Sequence, residues 1–436
     1  MRQAWVVLAV LVAVAVGAVG ASGSGRGDAA AGGASGYIVV LKDDVASVDA
    51  KVDRLSVLAG VNATYRYYYA LKGFAASLTQ KQADALRADP DVQFLSVDGR
   101  VSIVGPRKPI AAGETVPPGV RRIESAVGTK IEKRSSAKVA IIDTGIDLNQ
   151  TDLVAQNGKD CVNAEPAQDD NGHGTHVSGT VAAKNTGAGV AGVSPNTTVY
   201  AVKVLDSGGS GTFAQVICGV DWVTQNAAAK GIKVANMSLS GGGADDSNCG
   251  NSNGDAFHKA VCALTAAGVS LVVAAGNSTA NFSSAVPAAY NEALTVTAMA
   301  DTDGQPGGTG PAPSCFAGNL DDKFASFSNF ATPASADANH TVAGPGVCVL
   351  STRLGGGTTV LSGTSMASPH VAGTVANCIG HPNLPGPCAG MTPAQIITKI
   401  RADAAAKPVS YGFDGDPNHN PLAGRYYGLL VSNLNY

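Results

Sequence analysis

AKVAIIDTG, Ala137–Gly145, is a continuous apolar run closed by an acid and a glycine, the pattern of a strand buried on both faces. HGTHVSGTVAAK (173–184) then reads as helix and TTVYAVKVL (197–205) as the next strand. Phe213, Val216, Ile217, Val220 and Val223 recur at helical spacing and predict one face of a helix. VANMSLS (234–240), a helix through Phe257, Val261 and Leu264 stopped by Gly268, and SLVVAAGN (270–277) continue the alternation. Strand and helix in turn predict an α/β fold, a mainly parallel sheet with helices on both faces. Sites in such sheets form outside the carboxyl ends of the strands.

Composition sets the class. Of 436 residues 45% are hydrophobic and only 14% charged, with 54 glycines, as in a globular protein rich in tight turns. A net charge of −3 gives no footprint for nucleic acid. Residues 1–21 carry Arg2, an apolar run from Ala4 to Val16 and a small-residue end, which predicts a signal peptide cut close to Ala21 and no stable membrane anchor. The expected location is therefore secreted and extracellular, or a lytic vacuolar compartment. Cys161, Cys218, Cys249, Cys262, Cys315, Cys348, Cys378 and Cys388 are even in number, and in an exported chain they predict up to four disulfides of unassigned pairing. Of seven Asn-x-Ser/Thr sequons, those at Asn236 and Asn277 fall on strands and read as chance matches.

A Gly/Ala/Ser linker, residues 22–36, precedes a first domain at 37–104. YIVVLK is a strand, Val45 to Leu58 has helical spacing, TYRYYYALKGFAASL gives one or two strands, TQKQADALRAD a helix and VQFLSVDGRVSIV a last strand. That order predicts a small ferredoxin-like α+β unit. Tyr65, Tyr67, Tyr68 and Tyr69 would suit a base-stacking sheet, but the signal peptide and the lack of a basic patch argue against RNA. Residues 105–115 form a Pro/Gly-rich connector whose pair Arg107-Lys108 is expected to be exposed. The second domain is 116–436.

Leu361 to Asn377, LSGTSMASPHVAGTVAN, sets Ser365 at the start of a helix, with Pro369 in about its first turn. A serine there has a free backbone N–H at the positive end of the helix dipole, which suits a nucleophile whose attack creates an oxyanion. Alone it would be an N-cap. Asp143 ends the first strand of this domain, Asn277 ends another, and NGHGTHVSGT carries His173 and His176. The candidate triad is Asp143, His176 and Ser365, with Asn277 Nδ2 and the Ser365 N–H receiving the oxyanion. His173 and His176 at i, i+3 are the minor alternative, a zinc pair, without the HExxH spacing or a third ligand. The GTSMA segment lacks the GxSxG elbow of lipases and esterases.

DTGID, NGHGTHVSGT and GTSMASPHVAGT, in that order, resemble the three signature regions of the subtilisin-like serine peptidases. VKVLDSGGSGT, ANMSLSGGG and VVAAGN resemble the family's substrate strands and oxyanion region, and FASFSNF and GPGVCVLST its proteinase K branch. LKGFAASLT and PDVQFLSVDGRVSIV resemble its inhibitor-type propeptide. The resemblance implies a self-processing endopeptidase, monomeric, with polypeptide substrates and its own propeptide as inhibitor. It implies substrate-binding edges at Ser210, Gly211, Ser238 and Leu239. It also implies a pocket for the residue before the scissile bond walled by Ser238, Leu239, Ser240, Gly241, Ala274, Ala275 and Gly276. That pocket lacks charge and should take apolar or aromatic side chains, unless Asp245 and Asp246 intrude. No cofactor is expected for catalysis. Many relatives hold structural calcium, and Asp301 falls near one such position, without a matching neighbourhood that would assign a ligand. The inserts Ala244–Gly254 and Asp303–Asn319 depart from the family, and a catalytically silent, polypeptide-binding relative is the alternative.

Overall fold

The computed structural model describes residues 34–69, 71–97, 107–163 and 166–436. The expected signal peptide and the segment 98–106 lie outside them. The chain divides into two compact units, Met1–Val104 and Gly105–Tyr436.

In the smaller unit the order is β1 (Ser35–Leu41), α1 (Val48–Ala59), β2 (Ala63–Tyr67), β3 (Gly73–Leu78), α2 (Gln80–Arg87) and β4 (Val92–Val97). The sheet runs β2-β3-β1-β4 and is antiparallel throughout. Ser47 caps α1, and Thr79 with Gln82 forms a capping box on α2, so each helix starts where a side chain meets its free N–H groups. Val39, Leu41, Val52, Leu55, Phe74 and Leu86 fill the core between sheet and helices.

The larger unit opens with β5 (Arg107–Pro109), which pairs antiparallel with β6 (Lys130–Glu132). The expected exposed connector is therefore partly structural. Arg107 Nε lies 2.7 Å from buried Glu132, and its guanidinium donates to the carbonyls of Glu124 and Asn433. Lys108 Nζ donates to Asn196 Oδ1. Both basic side chains are spent on this unit.

Its main sheet contains β7 (Lys138–Asp143), β8 (Val154–Asp160), β9 (Thr198–Lys203), β10 (Ile232–Met237), β11 (Ser270–Ala274), β12 (Ala293–Ala300) and β13 (Thr341–Pro345). These are parallel, in the spatial order β13-β12-β11-β10-β7-β9-β8, with Lys323–Phe324 added antiparallel at β12. Alternation along β7 shows why the run is apolar throughout. Val139 and Ile141 pack on one face with α3 (His173–Ala182) and α6 (Thr364–Ile379), while Ala140 and Ile142 pack on the other with α4 (Phe213–Lys230) and α5 (Ala256–Ala266). Between β13 and α6 lies the hairpin β14 (Val349–Thr352) and β15 (Thr358–Leu361). α7 (Pro393–Ala405) follows, and among the described residues no helix is long and apolar enough to cross a membrane. The cysteines pair as Cys161–Cys218, Cys249–Cys262, Cys315–Cys348 and Cys378–Cys388.

Candidate active site

Asp143 is the last residue of β7 and fully buried. Its Oδ1 accepts from the Thr144 N–H at 2.8 Å and faces His173 Nδ1 at 2.7 Å. His173, not His176, is therefore the histidine paired with the acid. It is the first residue of α3, where a side chain still reaches the sheet edge. Gly174 makes the approach feasible, because a Cβ there would stand 2.1 Å from the Gly145 carbonyl. His176 lies one turn deeper, fully buried, with Nε2 3.0 Å from the Val349 carbonyl. The two rings meet different partners, so the zinc alternative also loses its ligand pair.

Charge follows geometry. Burial works against the His173 imidazolium, but the Asp143 charge and hydrogen bond outweigh it, raising its pKa above the usual histidine value. Burial pushes His176 down to about 4.

Ser365 is the second residue of α6, and its hydroxyl donates to the Ser238 carbonyl at 3.2 Å. Pro369 is the sixth helical residue, past the first turn where the sequence reading set it. Having no N–H, it leaves the Ser365 carbonyl without its i+4 donor. The Ser238 hydroxyl takes that place at 2.8 Å, itself held by Asn236 Nδ2 and Ser368 Oγ. Ser238 thus grips the nucleophile by side chain and backbone together. Asn277, just past β11, accepts from Thr364 N and Oγ1 at 2.8 and 2.9 Å. Its carbonyl is thereby fixed on the neighbour of Ser365, which leaves the amide Nδ2 as the free donor beside the Ser365 N–H.

A cavity of about 680 Å³ opens along these strand ends. His173, Ser210, Gly211, Ser238, Leu239, Ser240 and Gly241 line it, whereas Ala274, Ala275 and Gly276 do not. Ala274 and Ala275 are buried at the end of β11. Phe213, the first residue of α4, stands 43% exposed in the cavity wall. Its ring covers Gly241, where a Cβ would approach it to 2.8 Å, and stacks on Phe257 at 5.4 Å.

Two supporting residues escaped the sequence reading. Asp169 accepts from Thr144 Oγ1, Gly172 N and Thr175 N, tying the Asp143 loop to the start of α3. Asn329 accepts from Ser278 N and Ala280 N and donates to the Ala275 carbonyl, bracing the Asn277 turn. The only signal for either was a polar residue among turn residues.

Asp245 and Asp246 already have hydrogen-bond partners. Asp246 accepts from the N–H groups of Asn248, Gly250 and Ser252, and Asp245 and Asp246 both face buried His258. At Asp301, burial pushes the carboxyl up to about 8, and Arg122 Nε lies 3.5 Å from Oδ2. Arg122 also donates to Asp322 Oδ1, and Asp321 accepts from Thr302 N and Gly310 N. Asp301, Asp303 and Asp321 nonetheless bring carboxylate oxygens within 4.8 Å of one another, a group that could hold a cation.

Comparison with known proteins agrees with this frame. The subtilase family model matches residues 134–420, and the peptidase inhibitor I9 model matches residues 36–103. Subtilisin DY of Bacillus licheniformis is 40% identical over 268 residues, covering 60% of this chain and 84% of its own. A cuticle-degrading protease of Metarhizium anisopliae is 34% identical over 387 residues, 86% of each chain. A crystal structure of a cold adapted subtilisin-like serine proteinase superposes with a TM-score of 0.54 at 28% identity, over 74% of this chain and 99% of that one. With the parallel sheet, the strand-end acid and the inhibitor unit on one chain, these matches lead to one conclusion: the chain belongs to the subtilase family of serine endopeptidases.

Proposed function

We propose that Asp143, His173 and Ser365 form the catalytic triad of a secreted, self-processing endopeptidase. The observation that carries this reading is the 2.7 Å contact between His173 Nδ1 and the buried Asp143 carboxylate at a strand end beside Ser365's anchor, Ser238. Asp143 holds the Nδ1–H tautomer, which leaves Nε2 as the base. Nε2 takes the Ser365 Oγ proton as the oxygen attacks the peptide carbonyl. Asn277 Nδ2 and the Ser365 N–H stabilise the oxyanion. His173 then protonates the departing amine, and water repeats the sequence on the acyl-enzyme. The FASFSNF and GPGVCVLST segments support assignment to the proteinase K branch.

A serine-directed irreversible inhibitor should abolish activity with one adduct per chain, mapped by peptide analysis to Ser365. An adduct elsewhere, or full activity after modification of Ser365, would overturn the reading. The silent-relative alternative expects no adduct at all.

The pocket before the scissile bond is proposed to be an uncharged slot along Ser238–Gly241. Asp245 and Asp246 do not line the cavity, and their oxygens face loop N–H groups, Asn291 and His258. A buried Lys or Arg there would lack a partner. In a peptide series, Phe and Leu should therefore be cleaved at least about tenfold faster than Lys and Arg. The opposite order would refute the slot.

A further inference from the structure

The insert 303–319 is built onto the nucleophile's own approach strand. Cys315 is disulfide-bonded to Cys348, and Cys315 Sγ sits 3.4 Å from Ser362 Oγ. The same hydroxyl accepts from Cys348 N at 2.9 Å. Ser362 precedes Ser365 by three residues, a span of at most roughly 10 Å of chain. The next residue of the insert, Phe316, is 37% exposed, and its ring meets Phe327 edge-on at 5.1 Å. Phe327 is tied to the oxyanion side, since its carbonyl accepts from Thr279 N and the Ser326 carbonyl from Thr279 Oγ1. Asn319 secures the far end of the insert by accepting from Ser326 N. Val360, on the strand leading to Ser362, is 42% exposed. None of Phe316, Phe327 and Val360 lines the 680 Å³ cavity.

The start of the Ser365 helix is thus bordered by the Ser238 end of the cavity and, through Ser362, by this stapled patch. An extended polypeptide passing the nucleophile from the cavity continues over residues 360–362, with a residue every 3.3 Å or so. We propose that Phe316, backed by Phe327 and held by the Cys315–Cys348 staple, binds an aromatic or large apolar side chain of the residue directly after the scissile bond. This rests on the endopeptidase reading above. Aromatic contacts of this kind, with the area they bury, are worth about tenfold in selectivity.

Acyl transfer isolates that side of the reaction. An N-acyl peptide methyl ester forms the acyl-enzyme on Ser365, and an amino-acid amide then competes with water for it. The amine nitrogen bonds to the acyl carbon, the ester bond to Oγ breaks, and the amine's proton returns through His173 to Oγ. Both products come from one intermediate, so their ratio is independent of acylation rate. Phe-amide and Leu-amide should partition into peptide product about tenfold better than Gly-amide. Phe316→Ser should flatten this preference to within about twofold, Phe316→Leu should retain the preference for Leu-amide, and the double change Cys315→Ser, Cys348→Ser should lose it as Phe316→Ser does. If Phe316→Ser fails to fold, the Phe316→Leu and double-serine variants carry the comparison. Equal partition of the three amides by the parent enzyme, or an undiminished preference in both Phe316→Ser and the double variant, would overturn the proposal. Absence of any ester turnover by the parent would instead strike the endopeptidase reading itself.

Discussion

His173→Ala is expected to lower kcat by about 10⁶, a magnitude carried over from the same loss in subtilisin, a member of the family. His176→Gln should leave kcat of the folded enzyme within about tenfold of the parent, because its ring meets a backbone carbonyl rather than reacting groups. Its cost should appear as a lower melting temperature. The pH profile gives an independent check. The base must be neutral to accept a proton, so activity falls as pH drops through its pKa. Asp143 raises that of His173, which puts the acid limb of kcat/KM above 6.5. A base at His176, pushed down to about 4, would keep the enzyme working into acid. A limb near 4, or the collapse falling on His176 instead, would return the role to the deeper histidine.

Expressed with Ser365→Ala, the chain should accumulate as an uncut precursor, while the parent yields two pieces. Self-cleavage after Val104, where the first domain is read to end, is the reading proposed here, with the cut propeptide as inhibitor until degraded. The alternative is another protease acting at Arg107-Lys108. That pair is a poor target, with Arg107 held by Glu132, Glu124 and Asn433 and Lys108 by Asn196. Farther on, Asn185 holds both the Ala111 N–H and the Pro109 carbonyl. Trimming to Ala111 would remove β5 and the Pro109 carbonyl's bond to Asn185, so the mature chain should begin before Arg107. N-terminal sequencing of the parent product tests this, and a processed Ser365→Ala chain in the absence of other proteases would sink self-cleavage.

The sheet was legible because central parallel strands are apolar on both faces, so Val139–Ile142 and Leu271–Ala274 announce themselves. The placement of Ser365, Asp143 and Asn277 was legible for a related reason, each ending or following a strand or opening a helix. The choice between His173 and His176 was not. Residues three apart share a helical face, and only depth below the sheet edge separates them. The glycines flanking His173 were the available signal, since close approach to Asp143 requires one of them. The place of Phe213 in the cavity wall was not legible, because spacing gives the face of a helix but not whether its first turn is covered. The role of Arg107 was hidden because its partners, Glu132 and Asn433, are remote in sequence. Pro369 illustrates the same limit, since its compensation comes from Ser238, just past β10 and remote in sequence.

All eight cysteines fall between residues 161 and 388, and every pair closes within the larger unit. The four loops so closed span 10 to 57 residues, each restricting the unfolded chain and slowing its loss to digestion. The inhibitor unit has no cross-link and a core of about a dozen side chains, near the size where a domain is only marginally stable. On the self-cleavage reading proposed above, latency is then a contest of lifetimes: once the chain is cut no reductant is needed to part the pieces, and the unit proposed to silence the enzyme is the more perishable of the two.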